Sequence, residues 1–80
     1  MKNIEVYTTD DCPYCDRAMT LLKYNKLSFK EINLSVNPSL EREMITRSRQ
    51  TIAPQIFIDG QSVGGYDDLA RLNASGKLDH

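Results

Sequence analysis

The sequence predicts an α/β fold of order β-α-β-α-β-β-α, in which a four-stranded mixed sheet is flanked by three helices. Three observations support it: strand-like alternation on both sides of a first helical stripe, helical spacing in two later segments, and a hairpin signal between two short strands. The right-handed crossover rule permits this order in a short chain. Because 80 residues with 40% hydrophobic content suffice for one small core, we expect a single domain over residues 1–80.

The first part of the chain has the pattern of a βαβ unit. Alternation of Ile4 and Val6 with polar residues predicts a strand over residues 3–7. A helix should follow, with Pro13 as its first residue and Asn25 at its end. Residues 28–34 alternate again and predict a second strand. The helix has an apolar stripe at i, i+3, i+4 and i+7, formed by Cys15, Ala18, Met19 and Leu22.

A second helix is predicted after the βαβ unit. Asn37 is expected to be its N-cap and Pro38 its first residue, and it should run to about Arg47. Glu43 and Arg47 are four residues apart, which predicts an ion pair on the helix surface. The face directed at the core should contain Leu40 and Met44.

The last third of the chain predicts a hairpin and a third helix. The apolar run QIFI, residues 55–58, is typical of a strand covered on both faces, and Asp59-Gly60 is a strong hairpin signal before a strand over residues 61–63. Gly64-Gly65 precede a helix predicted from Tyr66 to about Ala74, with Gly76 as its stop. Its inward residues should be Leu69 and Leu72.

Charge and hydropathy exclude several partners. The net charge is -1 and the pI is about 5.7, with ten scattered Lys and Arg residues, so we expect binding neither to nucleic acid nor to an anionic membrane. No apolar run has the length of a membrane span or of a secretory signal. One close cysteine pair in a chain without other cysteines fits a reducing compartment, so we expect a cytoplasmic protein. We also expect a monomer.

The segment DDCPYCDRAM, residues 10–19, contains both cysteines of the chain. A disulfide closing so short a loop would contribute only roughly 2 kcal/mol as a structural staple, against about 4.7 kcal/mol for a 100-residue loop. A structural zinc site needs about four ligands, whereas the chain offers Cys12, Cys15 and the terminal His80. Residues three apart on a helix are neighbours, so the spacing favours a redox pair, and we expect no metal.

The two cysteines are predicted to differ in reactivity. Cys12 would be the N-cap of the first helix, where unpaired backbone N–H groups and the helix dipole favour a thiolate. Cys15 lies on the apolar stripe, so it should be buried and remain a thiol. We therefore interpret Cys12 as the nucleophile and Cys15 as the residue that resolves a mixed disulfide.

The chain resembles the dithiol glutaredoxins, in particular the small bacterial members, which have the thioredoxin-like fold. The residues that carry the resemblance are CPYC at 12–15, PQIFIDG at 54–60 and GGYDDL at 64–69, and the element order agrees along the whole chain. The resemblance implies a glutathione-dependent thiol-disulfide oxidoreductase. Its substrates would be protein–glutathione mixed disulfides, attacked by Cys12, and protein disulfides, which also require Cys15.

The resemblance also implies a glutathione site, with the Ala53–Pro54 peptide bond in cis. The backbone of Ala53 would pair with glutathione as an added strand does. N–H groups at the start of the last helix would bind the γ-glutamyl carboxylate, and an aspartate would bind the ammonium group. Gln50 would contact the glycyl carboxylate. The predicted glutathione-binding residues are Tyr14, Gln50, Ala53, Pro54, Gly65, Tyr66, Asp67 and Asp68.

Some residues differ from the family pattern. Family members often have Lys at the position of Thr9 and Thr at Asp11, and Thr-Val where this chain has Ile52-Ala53. The carboxylates of Asp10 and Asp11 add negative charge near Cys12, which disfavours a thiolate. A favourable position at a helix N-terminus is the alternative explanation for both aspartates.

Two other functions stay open. A redoxin of this size can be reduced by a thioredoxin reductase and donate electrons to ribonucleotide reductase, although the GGYDD motif favours glutathione as reductant. A dimer can also carry an iron-sulfur cluster ligated by two Cys12 sulfurs and two glutathiones, which the stiff Pro13 disfavours.

Overall fold

A computed structural model describes residues 2–78 of the chain, so His80, considered above as a metal ligand, lies outside the described residues. Within these residues, four strands and three α-helices follow one another in the predicted order, which confirms the fold class, and a short 3-10 helix that was not predicted precedes the second α-helix. The elements are β1 (Ile4–Thr8), α1 (Pro13–Tyr24), β2 (Lys30–Asn33), a 3-10 turn (Pro38–Leu40), α2 (Glu41–Ser48), β3 (Gln55–Ile58), β4 (Gln61–Gly64) and α3 (Tyr66–Ala74).

The strands form one mixed sheet in the order β2-β1-β3-β4. β1 is parallel to β2 and antiparallel to β3, and β3 is antiparallel to β4 with a register shift between Ile56 and Phe57. β1 and β3 are the interior strands, so their backbone groups are paired on both sides. The carboxyl end of β1 and the amino end of β3 therefore meet at one end of the sheet.

The two faces of the sheet carry separate apolar cores because side chains alternate along each strand. On one face, Val6 and Ile56 pack with residues of α1 and α3. On the other, Tyr7 and Phe57 pack against α2 and the strand β2, and their rings meet edge to face at 5.6 Å. The predicted inward positions are confirmed: Ala18, Leu22, Met44 and Leu69 are buried, and Met19, Leu40 and Leu72 are partly buried against the cores.

Several predicted ends of elements are confirmed. The backbone N–H of Asn25 caps α1, and its side-chain amide donates to Leu21 O at 2.9 Å. Gly76 follows α3 with a positive φ of 76°, the conformation typical of a helix stop. Asp59 and Gly60 have φ values of 52° and 82°, as a type I′ hairpin turn requires.

The strand bounds differ from the prediction at the ends. β1 is displaced by one residue, to Ile4–Thr8, and β4 extends to Gly64. β2 is shorter than the predicted 28–34 and spans Lys30–Asn33, since it is an edge strand whose extent is set by its pairing with β1. Alternation in a sequence marks residues of extended conformation, but pairing with a neighbour decides which of them belong to a strand.

Of two predictions for the second helix, one is confirmed in part and one is wrong. Asn37 is an N-cap and Pro38 a first residue, as predicted, but of the 3-10 turn, since α2 begins only at Glu41, and the Asn37 side chain makes no cap hydrogen bond. The ion pair of Arg47 is formed with Glu5 of β1 at 2.9 Å and not with Glu43. Arg47 also donates to the hydroxyl of Tyr7 at 2.8 Å and its guanidinium lies 4.0 Å from the ring centroid of Phe57. The hydroxyl of Tyr7 in turn donates to Glu43 Oε1 at 3.1 Å, so Tyr7 lies between the two residues that were predicted to pair.

Among residues 2–78, no helix is both long and apolar enough to span a membrane.

Candidate active site

Cys12 lies where the carboxyl end of β1 leads into α1. It is the N-cap of that helix, as predicted, with φ of -118° and ψ of 96°. Its Sγ accepts a hydrogen bond from the backbone N–H of Cys15 at 3.2 Å and lies 3.9 Å from the carbonyl oxygen of Ala53. The Cys12 side chain is partly exposed, and neither cysteine is in a disulfide. A partly exposed sulfur at a helix N-terminus is well placed to act as a nucleophile.

Cys15 lies one turn further along α1 and faces the core. It is 1% exposed and buried next to Ala18 of the same helix. Burial raises the pKa of the Cys15 thiol to about 12, and the hydrogen bond with Cys12 adds to this effect. Near neutral pH, Cys15 is therefore a thiol that does not compete with Cys12 for a substrate.

Asp10 and Asp11 have structural roles that the sequence alone did not reveal. Asp11 has a φ of 56°, a left-handed conformation that Asp and Asn adopt more readily than most residues. The backbone N–H of Asp10 donates to Ser35 Oγ at 2.9 Å, and its carboxylate accepts from Asn33 Nδ2 at 3.1 Å. These contacts join the loop before Cys12 to the end of β2, so the two aspartates shape the turn that presents the nucleophile.

The loop before β3 forms the second wall of the site. The Ala53–Pro54 peptide bond is cis, as the resemblance implies. Pro54 is buried, whereas Ala53 is partly exposed and its carbonyl group faces Cys12. Gln55 Nε2 donates to the carbonyl oxygen of Ile52 at 2.9 Å and holds the loop from the side of β3.

A groove with a volume of about 600 Å³ runs beside this loop. All eight residues that were predicted to bind glutathione line it, although they come from three separate parts of the chain. Gly64, which belongs to the predicted glutathione motif, also lines it, and the residues that were not predicted are Ser48, Ile52, Gln55, Ser62 and Val63. Ser62 and Val63 belong to the edge strand β4, and no motif marks them. Side chains alternate between the two faces of a sheet. The alternation along β3 and β4 could therefore have placed Gln55 and Ser62 on the face that borders the groove.

The N-terminus of α3 forms one end of the groove. Gly65 is the N-cap, and its N–H donates to Asp68 Oδ2 at 3.1 Å. Asp68 also forms an ion pair with Arg71. A side chain at Gly64 would collide with the Asp68 carboxylate, so the absence of a Cβ there is required for this cap. The first N–H groups of a helix have no acceptor within it, which makes this end of the groove suited to an anion.

Aromatic rings border the entrance of the groove. The ring centroids of Tyr14 and Tyr66 are 5.9 Å apart, and the guanidinium carbon of Arg17 lies 5.1 Å from the Tyr14 centroid. Tyr14 is 53% exposed, so much of its ring is free to contact a ligand. For metal binding, the described part of the chain contains no group of three or more His, Cys, Asp or Glu residues arranged to hold an ion.

A nucleophilic sulfur at a helix N-terminus, a buried thiol one turn behind it and a cis-proline loop beside both define the class of this protein. It is a thiol-disulfide oxidoreductase with the thioredoxin-like fold. The glutaredoxin family model matches residues 4–63. The chain therefore belongs to the glutaredoxin family.

Known proteins agree with this assignment along nearly the whole chain. The chain is 51% identical over 79 residues to Glutaredoxin 3 of Escherichia coli (strain K12), covering 99% of this chain and 95% of that protein. The solution structure of glutaredoxin from Brucella melitensis is similar with a TM-score of 0.82 and 47% identity, covering 96% of this chain and 84% of that one. The crystal structure of the buckwheat glutaredoxin-glutathione complex is similar with a TM-score of 0.86 and 25% identity, covering 96% of this chain and 73% of that one.

Proposed function

We propose that this glutaredoxin uses glutathione to reduce protein–glutathione mixed disulfides and protein disulfides. The observation that carries the proposal is the groove, which begins at Ala53 beside Cys12 and ends at the N-terminus of α3. A relative of similar fold, from buckwheat, has been crystallised as a glutathione complex. A groove of about 600 Å³ has room for a tripeptide.

The γ-glutamyl group is assigned to the α3 end of the groove. The N–H groups of Tyr66 and Asp67 bind its carboxylate, since they lie in the first turn of the helix and face the positive end of the dipole. Its ammonium group binds the carboxylate of Asp67. Asp68 is the less suitable partner because its oxygens are already bonded to the Gly65 N–H and to Arg71.

The rest of the tripeptide is assigned to the other groove residues. The cysteinyl backbone pairs with the N–H and C=O of Ala53, next to Pro54, as an added strand pairs with a sheet edge. This places the glutathione sulfur near Cys12 Sγ, and the exposed ring of Tyr14 covers it. The glycyl carboxylate extends toward Gln50 at the α2 side of the groove.

The proposed reaction is a pair of thiol-disulfide exchanges. The Cys12 thiolate attacks the glutathione sulfur of a protein–glutathione disulfide, forming a Cys12–glutathione disulfide and releasing the protein thiolate. A second glutathione thiolate then attacks the glutathione sulfur of that disulfide. Glutathione disulfide leaves and the Cys12 thiolate is restored, so each turnover consumes one free glutathione, and the other half of the glutathione disulfide comes from the substrate.

Protein disulfides require both cysteines. Cys12 first attacks one sulfur of the substrate and forms a mixed disulfide with it. Cys15 then loses its proton and attacks Cys12 Sγ, which releases the reduced substrate and leaves a Cys12–Cys15 disulfide. Two glutathiones reduce this bond. The contact between Cys15 N and Cys12 Sγ shows that the two residues are adjacent in the reduced state.

We further propose that the chain acts as a single-domain monomer in the cytoplasm, where glutathione keeps thiols reduced. Ribonucleotide reductase is one candidate among its protein substrates. Size-exclusion chromatography with and without glutathione tests the monomer, and a visible absorbance in a dimer peak would indicate the cluster-carrying alternative.

A coupled assay tests the function. Turnover of a peptide–glutathione disulfide is measured with glutathione, glutathione reductase and NADPH for the wild-type protein and for Cys12→Ser and Cys15→Ser. We expect Cys12→Ser to be inactive, because it lacks the nucleophile, and Cys15→Ser to retain this activity. With a protein disulfide as substrate, Cys15→Ser should lose activity. Loss of both activities in Cys15→Ser would contradict the division of roles. Reduction of the oxidised protein by thioredoxin reductase and not by glutathione would contradict glutathione as the reductant.

A further inference from the structure

The side chain of Gln55 contains a buried polar atom without a partner. Gln55 is 1% exposed, and within residues 2–78 its Oε1 accepts no hydrogen bond. Its Nε2, in contrast, donates to the carbonyl oxygen of Ile52 at 2.9 Å. A buried acceptor without a donor is uncommon because it has lost its contact with water and gained nothing in return. Gln55 also lines the groove, so its free acceptor lies next to a binding site.

Gln55 connects the rigid part of the sheet to the loop beside Cys12. It is the first residue of β3, and it is paired with Tyr7 of the interior strand β1. Its Nε2 holds Ile52, the residue before Ala53, and the carbonyl oxygen of Ala53 lies 3.9 Å from Cys12 Sγ. The orientation of the Ala53 backbone is therefore set from two sides, by Pro54 and by the amide of Gln55.

We propose that Gln55 is a positioning residue for glutathione binding, an inference that rests on the proposed function. Its Nε2 keeps the Ile52–Ala53 segment in the orientation in which Ala53 pairs with the ligand backbone. Its Oε1 accepts a hydrogen bond from a donor that arrives with the ligand, either a ligand N–H or a water bridging to it. Because the unpaired acceptor is unfavourable in the empty groove, its pairing in the complex adds to affinity.

A purely structural glutamine would have different properties. Its removal would lower the free energy of unfolding and leave ligand affinity unchanged in the molecules that remain folded. The proposed role instead acts on the binding of glutathione and leaves the nucleophile intact, since Gln55 bonds to Ile52 and not to Cys12. The Michaelis constant for glutathione, compared with kcat and with the alkylation rate of Cys12, separates the two roles.

The first experiment uses Gln55→Met, which keeps the length of the side chain and removes the amide. Gln61→Met is the matched control, because Gln61 is an exposed glutamine of the neighbouring strand β4. We expect Gln55→Met to raise the KM for glutathione about three- to tenfold, as for the loss of one hydrogen bond, with kcat and Cys12 alkylation within about twofold of wild type. Gln61→Met should leave the KM unchanged. An unchanged KM in Gln55→Met, or an equal rise in Gln61→Met, would overturn the proposal.

A second variant, Gln55→Glu, tests the donor directly and does not depend on whether Gln55→Met folds. A carboxylate cannot donate to the carbonyl oxygen of Ile52, whereas a protonated carboxyl group can. The measured quantity is the ratio of the variant's KM for glutathione to the wild-type KM. We expect this ratio to fall toward one as the pH is lowered from 8 to 5.5. A ratio near one at every pH would contradict the donor role. A KM ratio that is high and independent of pH would overturn the role of the Gln55 amide as a donor.

The outcome also distinguishes failure of this inference from failure of the proposed function. If the wild-type protein turns over with glutathione and the Gln55 variants have its KM, the positioning role alone is wrong. If the wild-type protein does not turn over with glutathione, the proposed function is wrong and the role of Gln55 is overturned with it.

Discussion

At the scale of single residues, the two cysteines and the two aspartates of the segment 10–15 have separate tasks. Cys12 is partly exposed at a helix N-terminus, and Cys15 is buried one turn behind it with a raised pKa of about 12. Asp10 joins two loops through hydrogen bonds, and Asp11 adopts a positive φ. The two aspartates thus support the turn that presents the nucleophile.

The charge of Asp11 can be separated from its backbone conformation. Asn also tolerates a positive φ, so Asp11→Asn removes the charge and keeps the turn. Because a carboxylate beside Cys12 disfavours the thiolate, we expect Asp11→Asn to accelerate alkylation of Cys12 at pH 6 about two- to threefold, the effect of an exposed charge interaction of about 0.5 kcal/mol. Stopped-flow or mass-spectrometric alkylation with iodoacetamide measures it.

Asp59→Asn is the control for this experiment. Asp59 is an exposed aspartate with a positive φ, but it lies in the β3–β4 turn at the opposite end of the sheet from Cys12. Its replacement should leave the alkylation rate unchanged. Equal rates in both variants and in wild type would show that the Asp11 carboxylate does not act on Cys12.

At the scale of elements, the N-terminus of α3 is both a structural cap and one end of the groove. Gly64 precedes it with a φ of 115°, and a Cβ at this position would collide with the Asp68 carboxylate that caps Gly65. The element therefore depends on a glycine outside the helix as much as on the helical residues.

We expect Gly64→Ala to be more destabilising than Gly60→Ala. Both glycines have positive φ values, of 115° and 82°, but a side chain at Gly60 would meet nothing within 4 Å. Gly60→Ala should cost about 1 kcal/mol of unfolding free energy from backbone strain. Gly64→Ala should cost about 1 kcal/mol more, because it also displaces the Asp68 cap, and should raise the KM for glutathione.

Chemical denaturation of both variants and the coupled glutathione assay measure these effects. Equal losses of stability with an unchanged KM in both would contradict the role assigned to the contact between Gly64 and Asp68.

The helix α2 is attached to the sheet by Arg47. This residue bonds to Glu5 Oε1 and to the hydroxyl of Tyr7, and it stacks on Phe57. Tyr7 and Glu5 lie more than thirty positions from Arg47 in the sequence, and Phe57 lies ten positions away. These contacts therefore form only after the sheet and α2 have come together.

Arg47→Met should therefore destabilise the fold. We expect a loss of about 2 kcal/mol of unfolding free energy, since two hydrogen bonds and the cation-π contact disappear while the apolar stem is kept. Arg42→Met, at an exposed position of the same helix, should change stability by less than about 0.5 kcal/mol. Urea denaturation measures both, and a similar small effect in the two variants would show that the Arg47 contacts contribute little.

At the scale of the whole molecule, burial of Cys15 links redox chemistry to folding stability. The folded protein holds the Cys15 proton up to a pKa of about 12, whereas a cysteine in an unfolded chain loses it near pH 8.5 to 9. Between these values the unfolded state binds fewer protons, so the free energy of unfolding falls as the pH rises. The stabilisation is complete below the unfolded pKa and is lost toward the folded pKa.

We expect reduced wild-type protein to lose stability between pH 8.5 and 10 more steeply than Cys15→Ala. The variant lacks the titrating thiol, so its stability should be flatter over this range. Burial also raises the pKa of Tyr7, which adds a decline at higher pH in both proteins, and for this reason the comparison ends at pH 10. Urea denaturation at each pH under a reducing agent is the measurement, and parallel curves would contradict the linkage.

Much of the fold was predictable because it follows from local patterns. Alternation, helical spacing and one apolar run located the four strands and the three α-helices of residues 2–78, although not the 3-10 turn. The Asp59-Gly60 turn and the Gly76 stop reflect backbone preferences of single residues. The residues at the interior positions followed from the same periodicity. The predictions failed at the start of α2 and for the partner of Arg47, where the outcome depends on contacts with the sheet.

The element order, the location of Cys12 at a helix N-terminus and the burial of Cys15 were predictable from the amino-acid pattern alone, because each follows from residues within a few positions of one another. Its resemblance to a family named eight of the residues that line the groove. Contacts between distant segments decided that Arg47 pairs with Glu5, that Asp10 is bonded to Asn33 and Ser35 and that Gln55 keeps an unpaired acceptor beside the groove. These features arise where separate segments meet, and the energy of such contacts depends on distances that no local pattern encodes.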